Sequence, residues 1–142
     1  MDEMMMSLNP VRYEQDLLSA TDTFVTTLDT SSKENKVLLL NLAENGSKQL
    51  REFINCELEI TDYYCDTVSM KDENGVLRET PRIILIDKER NGYRAMSMTV
   101  FKTVQRVISI MGPGPWEEPV VMMPTLTTKG KNQMLSLKIV RV

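Results

Sequence analysis

From residue 36 onward, apolar and polar residues mostly alternate with a period of two, the spacing of half-buried strands. KVLLLNL (36–42) is a short continuous apolar run that predicts a first buried strand. NCELEI (55–60) puts Cys56, Leu58 and Ile60 on one face and Glu57 and Glu59 on the other, and its alternation continues outward through Thr61 and Tyr63. KDENG (71–75) is a turn by composition. TPRIILID (80–87) and YRAMSM (93–98) are paired across KERNG (88–92), a hairpin loop ending in Asn-Gly. One segment changes period: in MTVFKTVQRVISIMG, Val100, Val104, Val107, Ile108 and Met111 recur at helical spacing. Thr99 or Ser97 caps this helix, Gly112-Pro113 ends it, and Phe101 belongs to the core. EPVVMMPTLT (118–127) and QMLSLKIV (133–140), joined by TKGKN, complete the pattern with Leu135, Leu137 and Ile139 facing inward.

The order of strands with one helix before the last two is mainly β and matches the OB-fold, a five-stranded Greek-key barrel with a helix between strands 3 and 4. Another small barrel, or an antiparallel sheet capped by one helix, fits the same pattern. At 142 residues, one domain with a single core is expected.

Charge divides the chain. Residues 1–35 hold seven acids against Arg12 and Lys33, a net of -5, whereas residues 36–142 sum to +2 and residues 120–142 carry four basic groups and no acid. The expected organisation is therefore an acidic N-terminal arm, 1–35, with a possible short helix over 13–20, followed by an OB-fold domain, 36–142. The arm is either a plain tail or, through Met4, Met5, Met6, Leu8, Val11 and Tyr13, a sticky segment that docks on a neighbouring copy, since methionines adapt to irregular apolar grooves.

The absence of histidine removes the usual general base, Ser-His and Cys-His nucleophiles, and imidazole metal sites. Asp62, Asp66 and Asp87 form no D-x-D or E-x-K arrangement for metal-dependent nuclease chemistry. No cofactor and no enzymatic activity are expected. Cys56 and Cys65 suit neither a disulfide framework nor a metal knuckle, and the acidic start is unlike a signal peptide. Reduced thiols in the cytoplasm are expected, away from membranes.

A barrel of this kind takes single-stranded nucleic acid by stacking bases on aromatics while basic residues follow the phosphates. The candidate stacking residues are Tyr63, Tyr64, Tyr93, Trp116 and Phe53, each with core packing or a loop plug as its alternative role. The candidate phosphate contacts are Arg82, Lys88, Arg90 and Arg94 around the first basic hairpin, and Lys129 and Lys131 around Gly130 in the second. Glu57 and Glu59 oppose phosphate unless their face lies outside the groove. The second reading is a protein–protein adaptor that uses the barrel groove or an open strand edge.

The segments ITDYYCDTVS, NGYRAMSMTV and TLTTKGKNQMLSLKIV, with the Ser97-x-Thr99-Val100 helix start, resemble the single-stranded-DNA-binding proteins of protein-primed phages of Gram-positive bacteria. They are also similar to OB-fold proteins carried in conjugative-plasmid operons. The resemblance spans about Ile60 to Val140. It implies a non-catalytic protein that coats single-stranded DNA during replication or conjugative transfer of a mobile element, with replication or conjugation proteins as further partners. It also implies stacking roles for Tyr93 and for Tyr63 or Tyr64.

Overall fold

The computed structural model describes residues 24–142. Among these residues the protein is mainly β: a curled half-barrel sheet with two α-helices. Its elements are β1 (Val25–Thr26), α1 (Lys33–Asn41), β2 (Lys48–Gln49), β3 (Leu58–Lys71), β4 (Leu77–Asp87), β5 (Gly92–Ala95), α2 (Met98–Met111), β6 (Val120–Lys129) and β7 (Asn132–Arg141). Neighbours follow the order β2-β5-β4-β3-β6-β7, and β1 pairs with β3. Val25 and Thr26, within the 1–35 stretch, thus pair with the sheet. Among the described residues β5 and β7 do not pair, so the sheet is not closed into the five-stranded barrel expected from the element order.

The run KVLLLNL forms α1 and not a strand. A continuous apolar run reads either way, and here the local signals favour a helix: Leu and Lys are good helix formers, and Ser32, in extended conformation, accepts a hydrogen bond from the Asn35 N–H at 3.3 Å. The helix continues as a wide turn over Leu42–Gly46. Only Leu39 and Leu42 bury fully on this segment, while Val37 and Leu40 stay exposed. Gly92 of β5 makes that packing possible, because a Cβ there would lie 2.6 Å from the Leu42 side chain.

α2 matches its periodicity. Ser97 Oγ accepts from the Val100 N–H at 3.2 Å, Gly112 terminates the helix, and Val100, Phe101, Val104 and Val107 are buried. Ile108 is half-buried and Met111 exposed, since the last turn runs past the sheet.

β3 carries the largest deviation from simple alternation. Ile60 pairs with Asp87 but Asp62 with Ile86, so one extra residue intervenes on β3. Such a bulge moves every later side chain to the opposite face. Tyr63, which strict alternation puts beside Glu57 and Glu59, thus joins Leu58 and Ile60 inside.

The two faces of the sheet carry separate cores. The larger packs Ile60, Tyr63, Ile83, Leu85 and Tyr93 against α2, Trp116, Val120, Met122 and the inward residues of β7, Leu135 and Leu137. The smaller packs Tyr64, Ile84 and Ile86 against Leu28, Leu39 and Leu42 of the α1 segment. One edge of β3 is shared. β6 pairs with residues 58–60, β1 with Tyr64 and Cys65, and between them the Trp116 N–H donates to the Thr61 carbonyl at 2.9 Å. No helix among the described residues is long and apolar enough to cross a membrane.

Candidate nucleic-acid interface

The aromatic candidates are built into the two cores. Tyr63 is 2% exposed, its hydroxyl donates to the Pro113 carbonyl at 2.7 Å, and its ring lies 5.5 Å from that of Trp116. Trp116 is 6% exposed and donates its indole N–H to the Gly112 carbonyl at 3.1 Å. Tyr93 is 5% exposed, meets Phe53 edge-on at 4.9 Å, and donates its hydroxyl to Asp87 Oδ2 at 2.8 Å. Tyr64 packs in the smaller core and donates to Asp66 Oδ2 at 2.9 Å. Burial pushes the phenols of Tyr63, Tyr64 and Tyr93 upward, and the nearby carboxylates Asp62, Asp66 and Asp87 respectively add to it. Burial, then Asp66, likewise pushes the Cys65 thiol up to about 12.

In this conformation none of these four rings presents an open face. Phe53 is half-buried, with the Lys48 ammonium 5.7 Å from its ring centroid. Among the described residues the most exposed aromatic ring is that of Phe24, within the acidic 1–35 stretch: it is 41% exposed and lies 5.4 Å from the Tyr64 ring at an interplanar angle of 28°. Its sequence signal is the apolar pair Phe24-Val25 interrupting a hydroxyl-rich stretch, the pair that opens β1.

The cations of the first basic hairpin are engaged within the fold, Arg82 and Lys88 by acids and Arg90 and Arg94 by neutral oxygens. Arg82 forms a two-pronged pair with Asp66, at 2.8 and 2.5 Å, and gives its third nitrogen to the Ala43 carbonyl at 3.0 Å. The bond to Asp66 raises the Arg82 guanidinium further above its ordinary value. Arg90, at φ 70°, reaches the Asn35 side-chain oxygen, and Arg94 reaches the Ser47 carbonyl and hydroxyl. All three arginines therefore donate to the α1 segment and the turn after it, fastening that segment over the outer face of β4 and β5. Lys88 stays exposed but pairs with Glu59 at 3.0 Å.

The second hairpin is different. Lys129 and Asn132 are the last pair of the β6–β7 ladder, which leaves Gly130 and Lys131 as the turn. Gly130 has φ 65°, and a Cβ there would meet nothing within 4 Å. Residues 127–134 are all exposed, and among the described residues Lys129 and Lys131 make no ion pair. Thr127 and Ser136, cross-strand neighbours of the tip, are held together by a hydroxyl–hydroxyl bond of 3.1 Å. The result is a braced ribbon that offers two ammonium groups around an unobstructed backbone turn. Amide and ammonium donors of this kind suit phosphate oxygens.

The remaining hairpin, β3–β4, is closed on itself at its tip. Asp72 accepts from the Asn74 and Val76 N–H groups at 2.9 and 3.0 Å and from Arg78 Nε at 2.8 Å. These bonds, Arg78 foremost, hold its carboxyl below the usual carboxylate range. No cluster of three His, Cys, Asp or Glu side chains suited to a metal ion occurs among the described residues. The arm residues Met4, Met5, Met6, Leu8, Val11 and Tyr13, and the short helix expected over 13–20, lie outside the described residues.

Comparison with curated proteins and with solved structures gives no match. The family model described as phage single-stranded DNA-binding protein matches residues 18–140, nearly the whole chain, and the protein belongs to that family.

Proposed function

We propose that this non-catalytic DNA-binding protein coats single-stranded DNA with little sequence preference, during replication or conjugative transfer of a mobile element. The observation that carries the reading is the β6–β7 tip, where Lys129 and Lys131 flank Gly130 on a stretch, 120–142, without a single acid. Cations that have no acidic partner among the described residues release the strand's counterions at full effect, and contacts to phosphate read no sequence. Lys88, which exchanges a solvent-exposed partner, extends the phosphate track in this proposal. Stacking falls to Phe24 and Phe53, the aromatics with ring surface outside the cores. Tyr63, Tyr64, Tyr93 and Trp116 contribute by fixing β3, β5 and the loop after α2 that carry the contacts. Such contacts are worth about 1–3 kcal/mol per stacked base.

The fold supports the reading at one further level. Strands β3 to β7, with α2 between the third and fourth of them, follow the OB order through every pairing but β5 with β7, where β2 takes the edge of β5. We read the sheet as an OB-type barrel opened at that seam. Neighbouring copies meet through the N-terminal arm.

Fluorescence anisotropy of a labelled oligo-dT, titrated at two salt concentrations beside a duplex of equal length, tests the proposal. Tight, salt-sensitive binding that prefers the single strand is expected. Equal affinity for duplex, or binding indifferent to salt, would overturn it.

A further inference from the structure

A groove of about 520 Å³ runs between α2 and the C-terminal end of β7. Its floor is apolar and open: Ile110 is 76% exposed, Val142 66% and Met111 42%, with Ile139 beneath them. Singly exposed apolar residues need no explanation, whereas several sharing one concavity mark a contact surface. Lys102 and Arg106, four residues apart on α2 and so on one side of it, form the rim. Among the described residues no Asp or Glu side chain lines the groove, and neither cation makes an ion pair. The occupant this surface fits is a segment rich in flexible apolar side chains and carrying negative charge. Among the described residues no aromatic lines it, so a nucleobase would find nothing there to stack on.

The chain itself contains such a segment. Residues 1–23 carry five acids against Arg12 alone, and Asp2 and Glu3 directly precede Met4, Met5 and Met6. Extended, this stretch spans up to about 75 Å, enough to reach an adjacent molecule. The groove also lies clear of the basic tip: from Lys131 to Ile139 the strand runs about 26 Å. A guest there leaves Lys129 and Lys131 accessible.

We propose that the groove between α2 and β7 receives residues 1–12 of a second copy, with the methionines on the apolar floor and Asp2 and Glu3 facing Lys102 and Arg106. The inference rests on the strand-coating reading only in that copies lie side by side on the strand. Each protomer offers one segment and one groove, which can join two copies reciprocally or many copies head-to-tail, and copies lying side by side on one strand favour the head-to-tail arrangement. This is the geometry of an open row of copies, and charge on both sides gives it a preferred direction.

The test uses the full-length chain with no DNA present, so its outcome is separate from that of the strand-binding assay. Sedimentation velocity is expected to show concentration-dependent association. Ile110→Asp, at an exposed position that folding tolerates, weakens that association by at least about tenfold. Lys102→Glu with Arg106→Glu weakens it similarly, and adding Asp2→Lys with Glu3→Lys to that variant restores it. A photo-crosslinker replacing Met5, in an equal mixture of light and heavy isotope chains, is expected to give mixed-isotope links to α2 or β7. A chain that stays monomeric at every concentration, links that fall elsewhere or only within same-label chains, or a charge swap without rescue would each overturn the proposal. So would loss of oligo-dT binding in Lys102→Glu, Arg106→Glu with association intact, which would make the groove a phosphate track.

Discussion

The strands and loops of β4–β5 and β6–β7 carry five and four basic residues, yet they hold their charge in opposite ways. Around β4–β5, Arg82 is locked to Asp66, Arg90 and Arg94 to the α1 segment, and Lys88 to Glu59. On β6–β7 only Arg141 has an acidic partner, Glu57 at 3.1 Å, among the described residues. A cation already bonded within the fold must break a contact before it can gain from a phosphate, while a solvated ammonium loses only water and screening ions. Counting basic residues therefore overstates the first hairpin as a ligand surface. Its arginines are tied to the fold, and the ribbon tip holds two lysines without an acidic partner among the described residues.

Alkaline pH attacks the committed side first. Cys65 is raised from about 9 to about 12, and the phenols of Tyr63, Tyr64 and Tyr93 are raised as well, so these groups stay protonated when folded but ionise on unfolding. Their stabilisation is complete below their ordinary values and is lost as pH climbs toward the folded ones. Urea unfolding is expected to be unchanged by these groups up to about pH 9 and to lose up to about 4 kcal/mol between pH 9 and 12 from Cys65 alone. Cys65→Ala should flatten part of that decline. A pH-independent stability across this range would show that the thiol is not held protonated by the fold.

Reversing charge on the open ribbon, Lys129→Glu with Lys131→Glu, should reduce oligo-dT affinity by about a hundredfold, roughly 2.7 kcal/mol. The melting temperature should stay put. Replacing both with alanine should lower the slope of log affinity against log salt by about 1.4, the share of two single-strand phosphates. An unchanged slope would mean that the tip lies off the path of the strand.

Arg82→Ala is the converse experiment. It leaves the Asp66 carboxylate, whose side chain is 13% exposed, with the Tyr64 hydroxyl as its remaining donor and removes the Arg82 bond to the Ala43 carbonyl, at a cost of about 2 kcal/mol in chemical denaturation. Strand affinity measured well below the melting point should fall by less than about twofold. A large loss of affinity at unchanged stability would reverse the contrast between the two hairpins.

The smallest effect is expected from Tyr93→Phe, which keeps the ring against Phe53 and removes only the hydroxyl bonded to Asp87. Stability should drop by about 1 kcal/mol and strand binding should not change. Because Asp87 also accepts from the Glu89 and Asn91 N–H groups, amide exchange in the 88–92 loop is the sensitive readout.

Much of this arrangement was legible in the residues. The strands from β3 onward, α2 with its Ser97 cap and Gly112 stop, and the basic Gly130 turn all follow from periodicity and turn chemistry, and the family match agrees with the resemblance carried by the tyrosine strand and the TTKGKNQMLSLKIV hairpin. Two features were hidden for definite reasons. The run KVLLLNL has no period to distinguish strand from helix, and the deciding Ser32 cap lies outside the run itself. The bulge after Ile60 leaves no mark in ITDYYC, yet it decides that Tyr63 faces the core. The engagement of Arg82, Arg90 and Arg94 was also invisible, since their acceptors, Ala43, Asn35 and Ser47, lie 39 to 55 residues away along the chain. Charge signs can be read locally, but partners across the fold cannot.

The divided edge of β3 sets a schedule for synthesis. Its hairpin with β4 can form as soon as Asp87 has left the ribosome, but residues 58–60 must wait for Val120–Met122, more than thirty residues further on. At bacterial elongation rates of roughly 5–20 residues per second, that interval is about 2–7 s. During it, Leu58 and Ile60 sit on an unpaired strand edge, the type of surface that seeds aggregation. Slowing translation across the α2 region should therefore lower the soluble yield of this protein more than slowing it before β3.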